Sequence, residues 1–195
     1  MRVLLLADEE SKFLWDHFQP EIFKDVEMII SCGDLKSDYL SYLVSVMRAP
    51  LIYVPGNHDR NYLSKPPDGC DSIDGSLFKY KNLKILGLGG CQLYNHGEYQ
   101  YTEKNMEKRV RKMKSKLWWN HGLDILVTHA PAMGINDGPD LCHLGFKCFR
   151  DILDKYNPKY FFHGHQHMNY GNIPRITKYN NTTIINAYGY YLIDI

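Results

Sequence analysis

The sequence predicts an α/β fold whose strands carry polar chemistry at their ends. Three observations predict it. Strand-sized apolar runs recur along all 195 residues. The first three alternate with helical patterns, the order that builds a parallel sheet. Five of the runs stop in Asp, Asn or His, at the strand ends where open α/β sheets form their ligand crevice.

The first element, "RVLLLA" (2–7), is a continuous apolar run, as expected of a strand buried on both faces. It ends in Asp8, Glu9 and Glu10 with no Gly, Pro or Asn to turn it; alone, that reads as a solvated loop with an acidic helix start. Residues 11–24 place Phe13, Leu14, His17 and Phe18 on one helical face. A second strand, "EMIISC" (27–32), ends in Gly33-Asp34. A helix over 38–47 follows, with Tyr39, Leu40, Leu43, Val44 and Met47 inward. The third strand, "LIYV" (51–54), runs into Gly56-Asn57-His58-Asp59. The stretch 64–75, rich in Pro, Gly and Asp, reads as a surface loop.

Strands at 77–80 and 83–89 come next, then a charged helix over 103–118 whose basic run reads as a solvated face. "DILVTH" (124–129) ends in His129, and a fourth helix spans 145–156. "KYFFHG" (159–164) leads into His165-Gln166-His167. Alternate residues of extended chain share a face, so these two imidazoles point the same way. The last strands, 182–187 and 190–195, follow the short turns "YNNTT" and "AYG", a hairpin-like pattern. One half of the sheet structure is therefore expected from βαβ units and the other largely from antiparallel strands.

Composition bounds the rest. At 44% hydrophobic, the chain is long enough for one domain over 1–195 with a sizeable core. Its 23 basic and 22 acidic residues sum to +1, so no charge excess demands nucleic acid or an anionic membrane as partner. No apolar run could span a bilayer, and the first apolar stretch is too short for a secretory signal, which implies a cytoplasmic protein. The five cysteines are scattered, as reduced buried thiols would be; a zinc site from Cys142, His143 and Cys148 has no common spacing.

Each strand-end motif alone has a bland reading: a turn dipeptide at Gly33-Asp34, a turn at 56–59, a hydrogen-bonded core histidine at 129. Their joint order is another matter. The series D-x-(H), GD, GNHD, H, GHxH, running from Asp8 to His167, resembles the calcineurin-like metallophosphoesterase family. The resemblance implies a four-layer α/β/β/α sandwich of two mixed β-sheets. It implies one metal held by Asp8, the residue at position 10, Asp34 and His167, and a second held by Asp34, Asn57, His129 and His165, with Asp34 bridging. A carboxylate can bind two cations through separate oxygens, while neutral imidazole and amide oxygen complete each shell. Two divalent ions (Mn, Fe, Mg or Zn) would activate a water for phosphoester hydrolysis. His58 would face the substrate as acid or charge stabiliser, and Asp59 would accept a hydrogen bond from its other ring nitrogen.

Position 10 departs from the family, with Glu10 where His is usual. The added negative charge implies a less acidic bridging water and a preference there for Mn²⁺, Fe²⁺ or Mg²⁺ over Zn²⁺. The run "GDLKSDYL" lacks the Arg of the protein Ser/Thr phosphatases in this superfamily, so the expected substrate is a small-molecule or nucleotide-type phosphate ester, a phosphodiester rather than a monoester. Substrate contacts are expected from the loops 60–76, 91–102 and 130–143; the second, with its tyrosines and His96, could stack a base or simply be surface. The alternative reading is a non-catalytic metal-binding scaffold of the same fold. A nuclease would want a basic groove, for which only the 103–118 helix offers cations, and it is disfavoured.

Overall fold

The computed structural model describes residues 1–170 and 174–195. In chain order its elements are β1 (Arg2–Ala7), α1 (Lys12–Trp15), α2 (Pro20–Phe23), β2 (Val26–Ser31), α3 (Ser37–Met47), β3 (Leu51–Tyr53), β4 (Cys70–Ser72), β5 (Ser76–Tyr80), β6 (Leu83–Leu88), β7 (Cys91–Gln92), β8 (Gln100–Tyr101), α4 (Glu103–Trp119), β9 (Ile125–Thr128), α5 (Lys147–Tyr156), β10 (Tyr160–His163), β11 (Ile176–Tyr179), β12 (Thr182–Asn186) and β13 (Gly189–Asp194). Two mixed sheets dominate, with strand orders β13-β1-β2-β3-β4 and β11-β12-β10-β9-β6-β5.

Strand alternation builds the layers. Val3, Leu5, Met28, Ile30 and Ile52 of the first sheet face Ile85, Ile125, Val127, Phe162 and Ile185 of the second. The intervening Leu4, Leu6 and Ile29 point the other way, against Leu14, Phe23, Tyr39, Leu40 and Leu43 of α1–α3. On the far side, Leu86, Leu126, Phe161 and Ile184 meet Met106, Val110 and Met113 of α4 and Phe149 and Ile152 of α5. The result is the expected α/β/β/α sandwich. Because both faces of each sheet are covered, the central strands are apolar at nearly every position.

Three expectations need correcting. The helix expected over 11–24 is two short helices. Pro20 opens the second, and Gln19 before it is held extended at φ −113°, ψ 100°, since the proline ring disfavours helical backbone in the preceding residue. The loop expected over 64–75 contains β4, which adds to β3 in parallel as a short exposed edge strand. The C-terminal third is also less antiparallel than its turns suggested. Tyr179–Thr182 does close a β11–β12 hairpin, but β12 pairs β10 in parallel. The "AYG" segment then carries the chain across to the first sheet, where β13 pairs β1 antiparallel. Both sheets thus have parallel centres, with antiparallel pairing confined to edges. Among the described residues no helix is long and apolar enough to cross a membrane.

Candidate metal centre

The parallel centres of the two sheets deliver Asp8, Asp34, Asn57, His129 and His165 to one edge. The backbone is strained there: Asp8, Asp34 and His165 all have positive φ, at 65°, 58° and 67°. Side-chain-bearing residues rarely adopt this region, and such outliers concentrate at functional sites. Gly33 is required for a related reason. Its φ is +97°, and a Cβ there would collide with Gly56 N and come within 2.9 Å of His129 Nδ1.

His129, fully buried, sits at the middle of the cluster. Its Nδ1 is 2.8 Å from the carbonyl oxygen of Cys32. A carbonyl only accepts, so Nδ1 carries a proton and Nε2 is left to face the site. Around Nε2 lie Asn57 Oδ1 at 3.0 Å, His165 Nδ1 at 3.1 Å and Asp34 Oδ2 at 3.3 Å. The His165 ring is fixed in the same way: its Nε2 donates to the carbonyl of Cys142 at 2.7 Å, so its Nδ1 bears a lone pair. Asn57 is oriented by Tyr94, whose hydroxyl accepts from Nδ2 at 3.2 Å and leaves Oδ1 turned inward.

Four donor atoms, two nitrogens and two oxygens, therefore converge on one point. A single N–H on His129 Nε2 cannot serve three acceptors. A cation replacing that proton can be ligated by all four groups, and N/O donors of this kind suit divalent metals. The set Asp34, His129 and His165 is one of two groups among the described residues whose Asp, Glu, His or Cys ligand atoms all lie within 4.8 Å of one another. Electrostatics agrees. Burial opposes charge on His129, but the Asp34 carboxylate beside it raises its pKa to about 9. Burial likewise opposes ionisation of Asp34, and His129 brings it down to about 2. The protein alone holds a positive charge where the ligands meet.

The remaining expected ligands are arranged less simply. Asp8 accepts from the backbone N–H of His165 through both oxygens, at 3.0 and 2.9 Å. Burial, against the pull of His129 and with the charge of Asp34 adding, raises its pKa to about 7. The His167 ring lies 5.0 Å from that of Tyr188. The Glu10 carboxylate lies 3.5 Å from Lys36 Nζ. The structure gathers the second expected ligand set, while Glu10, expected in the first, pairs with Lys36.

His58 is exposed, and its backbone N–H donates to Asp34 Oδ1 at 2.8 Å. It borders a cleft of about 490 Å³ that also takes in Asp34, Lys36, Asn61 and Tyr62. Asp59 is not the partner of the His58 ring that was expected. It is only 4% exposed, and its Oδ2 accepts from the backbone N–H groups of both Asp34 and Gly56, each at 2.7 Å. Two inward-facing amides hold the carboxylate more firmly than one exposed imidazole would. Three orienting groups escaped the sequence reading. The carbonyls of Cys32 and Cys142 give no signal because every residue has one. Tyr94 stood in a loop read for base stacking, and is instead committed to Asn57.

The sequence model of the calcineurin-like phosphoesterase family matches residues 7–169, most of the chain and every strand end described above. The chain belongs to the calcineurin-like phosphoesterase family. Membership implies metal-dependent hydrolysis of phosphoester bonds, in keeping with the donor set around His129. An uncharacterized protein of Haemophilus influenzae (strain ATCC 51907 / DSM 11121 / KW20 / Rd) is 27% identical to this calcineurin-like phosphoesterase over 233 aligned positions, covering 98% of this chain and 96% of that protein. The crystal structure of TT1561 of Thermus thermophilus superposes with a TM-score of 0.65 at 14% identity, over 95% of this chain and 88% of the other. A further crystal structure gives a TM-score of 0.67 at 14% identity, over 99% and 94%. At such identities these two speak for the fold alone.

Proposed function

We propose that the chain hydrolyses small phosphate esters, phosphodiesters in preference to monoesters, at a centre of two divalent cations. The observation that carries this reading is the convergence of Asp34 Oδ2, Asn57 Oδ1, His129 Nε2 and His165 Nδ1 beside the exposed His58. Asp34, Asn57, His129 and His165 would hold one ion, and Asp8, Asp34, His167 and Glu10 the other. When bound, the ions supply an activated water and neutralise phosphoryl charge. The protein's own part is orientation. Cys32 and Cys142 carbonyls fix both imidazole tautomers, Tyr94 fixes the Asn57 amide, and Asp59 ties the loops after β2 and β3 together. His58, at the mouth of the cleft, is placed to stabilise the departing oxygen or give it a proton. The open cleft of about 490 Å³ leaves room for the second ester group of a diester, such as a nucleotide-type substrate.

The test is hydrolysis of bis-p-nitrophenyl phosphate with Mn²⁺, Fe²⁺, Mg²⁺ or Zn²⁺ supplied. His58→Ala is expected to lower kcat by about 10²-fold or more, the range for loss of a positioned acid. The placement of Glu10 against Lys36 favours a second reading, a metal-binding scaffold without turnover. Wild-type protein that binds metal but hydrolyses no phosphoester with any of these ions would establish it.

A further inference from the structure

Among the described residues, one more set of side chains outside the centre around His129 brings cation-ligating atoms together. Asp140, Cys142 and His143 offer a carboxylate oxygen, a thiol sulfur and an imidazole nitrogen, all within 4.8 Å of one another. His143 Nδ1 lies 2.9 Å from Asp140 Oδ2 and 3.0 Å from Oδ1. The Asp140 and His143 side chains are 58% and 30% exposed, so an ion from solvent can reach them. In the sequence, Cys142, His143 and Cys148 have no common zinc spacing. In the fold Cys148 is buried at the start of α5, where its backbone N–H donates to Glu103. Asp140 stands in its place.

We propose that Asp140, Cys142 and His143 form a separate zinc site with one coordination position left to water. Three protein ligands and an open position make a four-coordinate zinc site of the exchangeable kind. The thiolate selects a softer ion than the oxygens and imidazoles around His129 do, so the two sites differ in preference. Binding releases the Cys142 thiol proton to solvent; neutral His143 ligates through Nδ1 with its ring proton shifted to Nε2, and Asp140 exchanges its hydrogen bond with His143 for the ion.

The site is wired to the main centre through its backbone. The Cys142 carbonyl takes the Nε2–H of His165 at 2.7 Å. An ion on Cys142 therefore sits on the residue whose carbonyl orients one donor of the main centre, His165. Occupancy of either site should change affinity at the other by the same factor.

Cobalt titration of the purified full chain tests the proposal by absorption rather than by activity. Among the described residues the main centre has no thiolate donor, so a sulfur-to-cobalt charge-transfer band reports on Cys142 whatever becomes of the phosphoesterase reading. The band is expected in wild type and absent in Cys142→Ser. Asp140→Asn and His143→Gln are expected to weaken cobalt binding at this site about tenfold or more. No band in wild type, or a band that survives in Cys142→Ser, overturns the site. Should Cys142→Ser fail to fold, the two substitutions at the more exposed positions decide, and an unchanged titration in both overturns it equally.

Discussion

His129 Nε2 lies 3.3 Å from Asp34 Oδ2, with the ring held from behind by the Cys32 carbonyl. In the metal-free protein this is a buried ion pair, and it makes stability depend on pH. The folded pKa of His129, about 9, exceeds its ordinary 6.5. The pair's contribution is therefore complete below about pH 6.5 and lost as pH rises through about 9. At lower pH, opposing shifts offset one another: Asp8 and Asp59 are raised to about 7, while His163 and His165 are lowered to about 4 and about 3. Urea unfolding in EDTA should show a loss on the order of 2 kcal/mol between about pH 6.5 and 9. His129→Asn should flatten that slope.

The approach of β2 and β3 behind the cluster leaves no room for side chains. A Cβ on Gly33 would meet Gly56 N in a backbone conformation at φ +97°. Gly33→Ala is expected to cost about 3 kcal/mol or more in thermal unfolding, combining backbone strain with collision. A Cβ on Gly56 would collide instead with Asp34 Oδ1, the carboxylate's own acceptor from the His58 N–H. Gly56→Ala should therefore retain more stability and lose manganese affinity, by about tenfold or more in calorimetric titration.

Asp59 serves the scaffold through its two backbone donors, Asp34 N–H and Gly56 N–H. Asp59→Ala leaves two buried amides unpaired and is expected to cost about 2–4 kcal/mol. Asp59→Asn keeps an acceptor oxygen and should cost clearly less. A carboxylate orienting His58 would show differently, as a displaced pH profile of turnover in Asp59→Asn with stability untouched.

The strands and the order of polar groups at their ends were legible because both are local. A continuous apolar run such as 2–7 reports burial on both faces, and Asp8, Asp34, Asn57, His129 and His165 each follow such a run. The convergence of the last four was implied by family resemblance, and the geometry of the fold supplies its physical reason. What could not be read were features fixed by distant parts of the chain. The "AYG" turn looks like a hairpin, yet Gly189 opens β13 in the other sheet, a choice made by pairing with β1. The role of Asp59 depends on Gly56 and Asp34 amides presented by two different loops. The positive φ of Asp8, Asp34 and His165 has no signature in residues that ordinarily avoid it.

Glu10 and Lys36 form the pair that tests whether Glu10 serves the second ion proposed beside Asp8. They stand 3.5 Å apart, with the Lys36 side chain 82% and the Glu10 side chain 25% exposed. An ion pair this open contributes about 0–1 kcal/mol, far less than carboxylate ligation of a divalent ion. Coordination should therefore draw Glu10 away from Lys36. Glu10→Ala is expected to reduce bound manganese by one ion per chain in elemental analysis, whereas Lys36→Ala, by freeing the carboxylate, should strengthen binding of that same ion a few-fold. Glu10→His should restore the ion and move preference toward Zn²⁺, since imidazole replaces a hard oxygen donor and removes a negative charge. If Glu10→Ala retains wild-type manganese content, Glu10 belongs to Lys36 and the ion beside Asp8 is held without it.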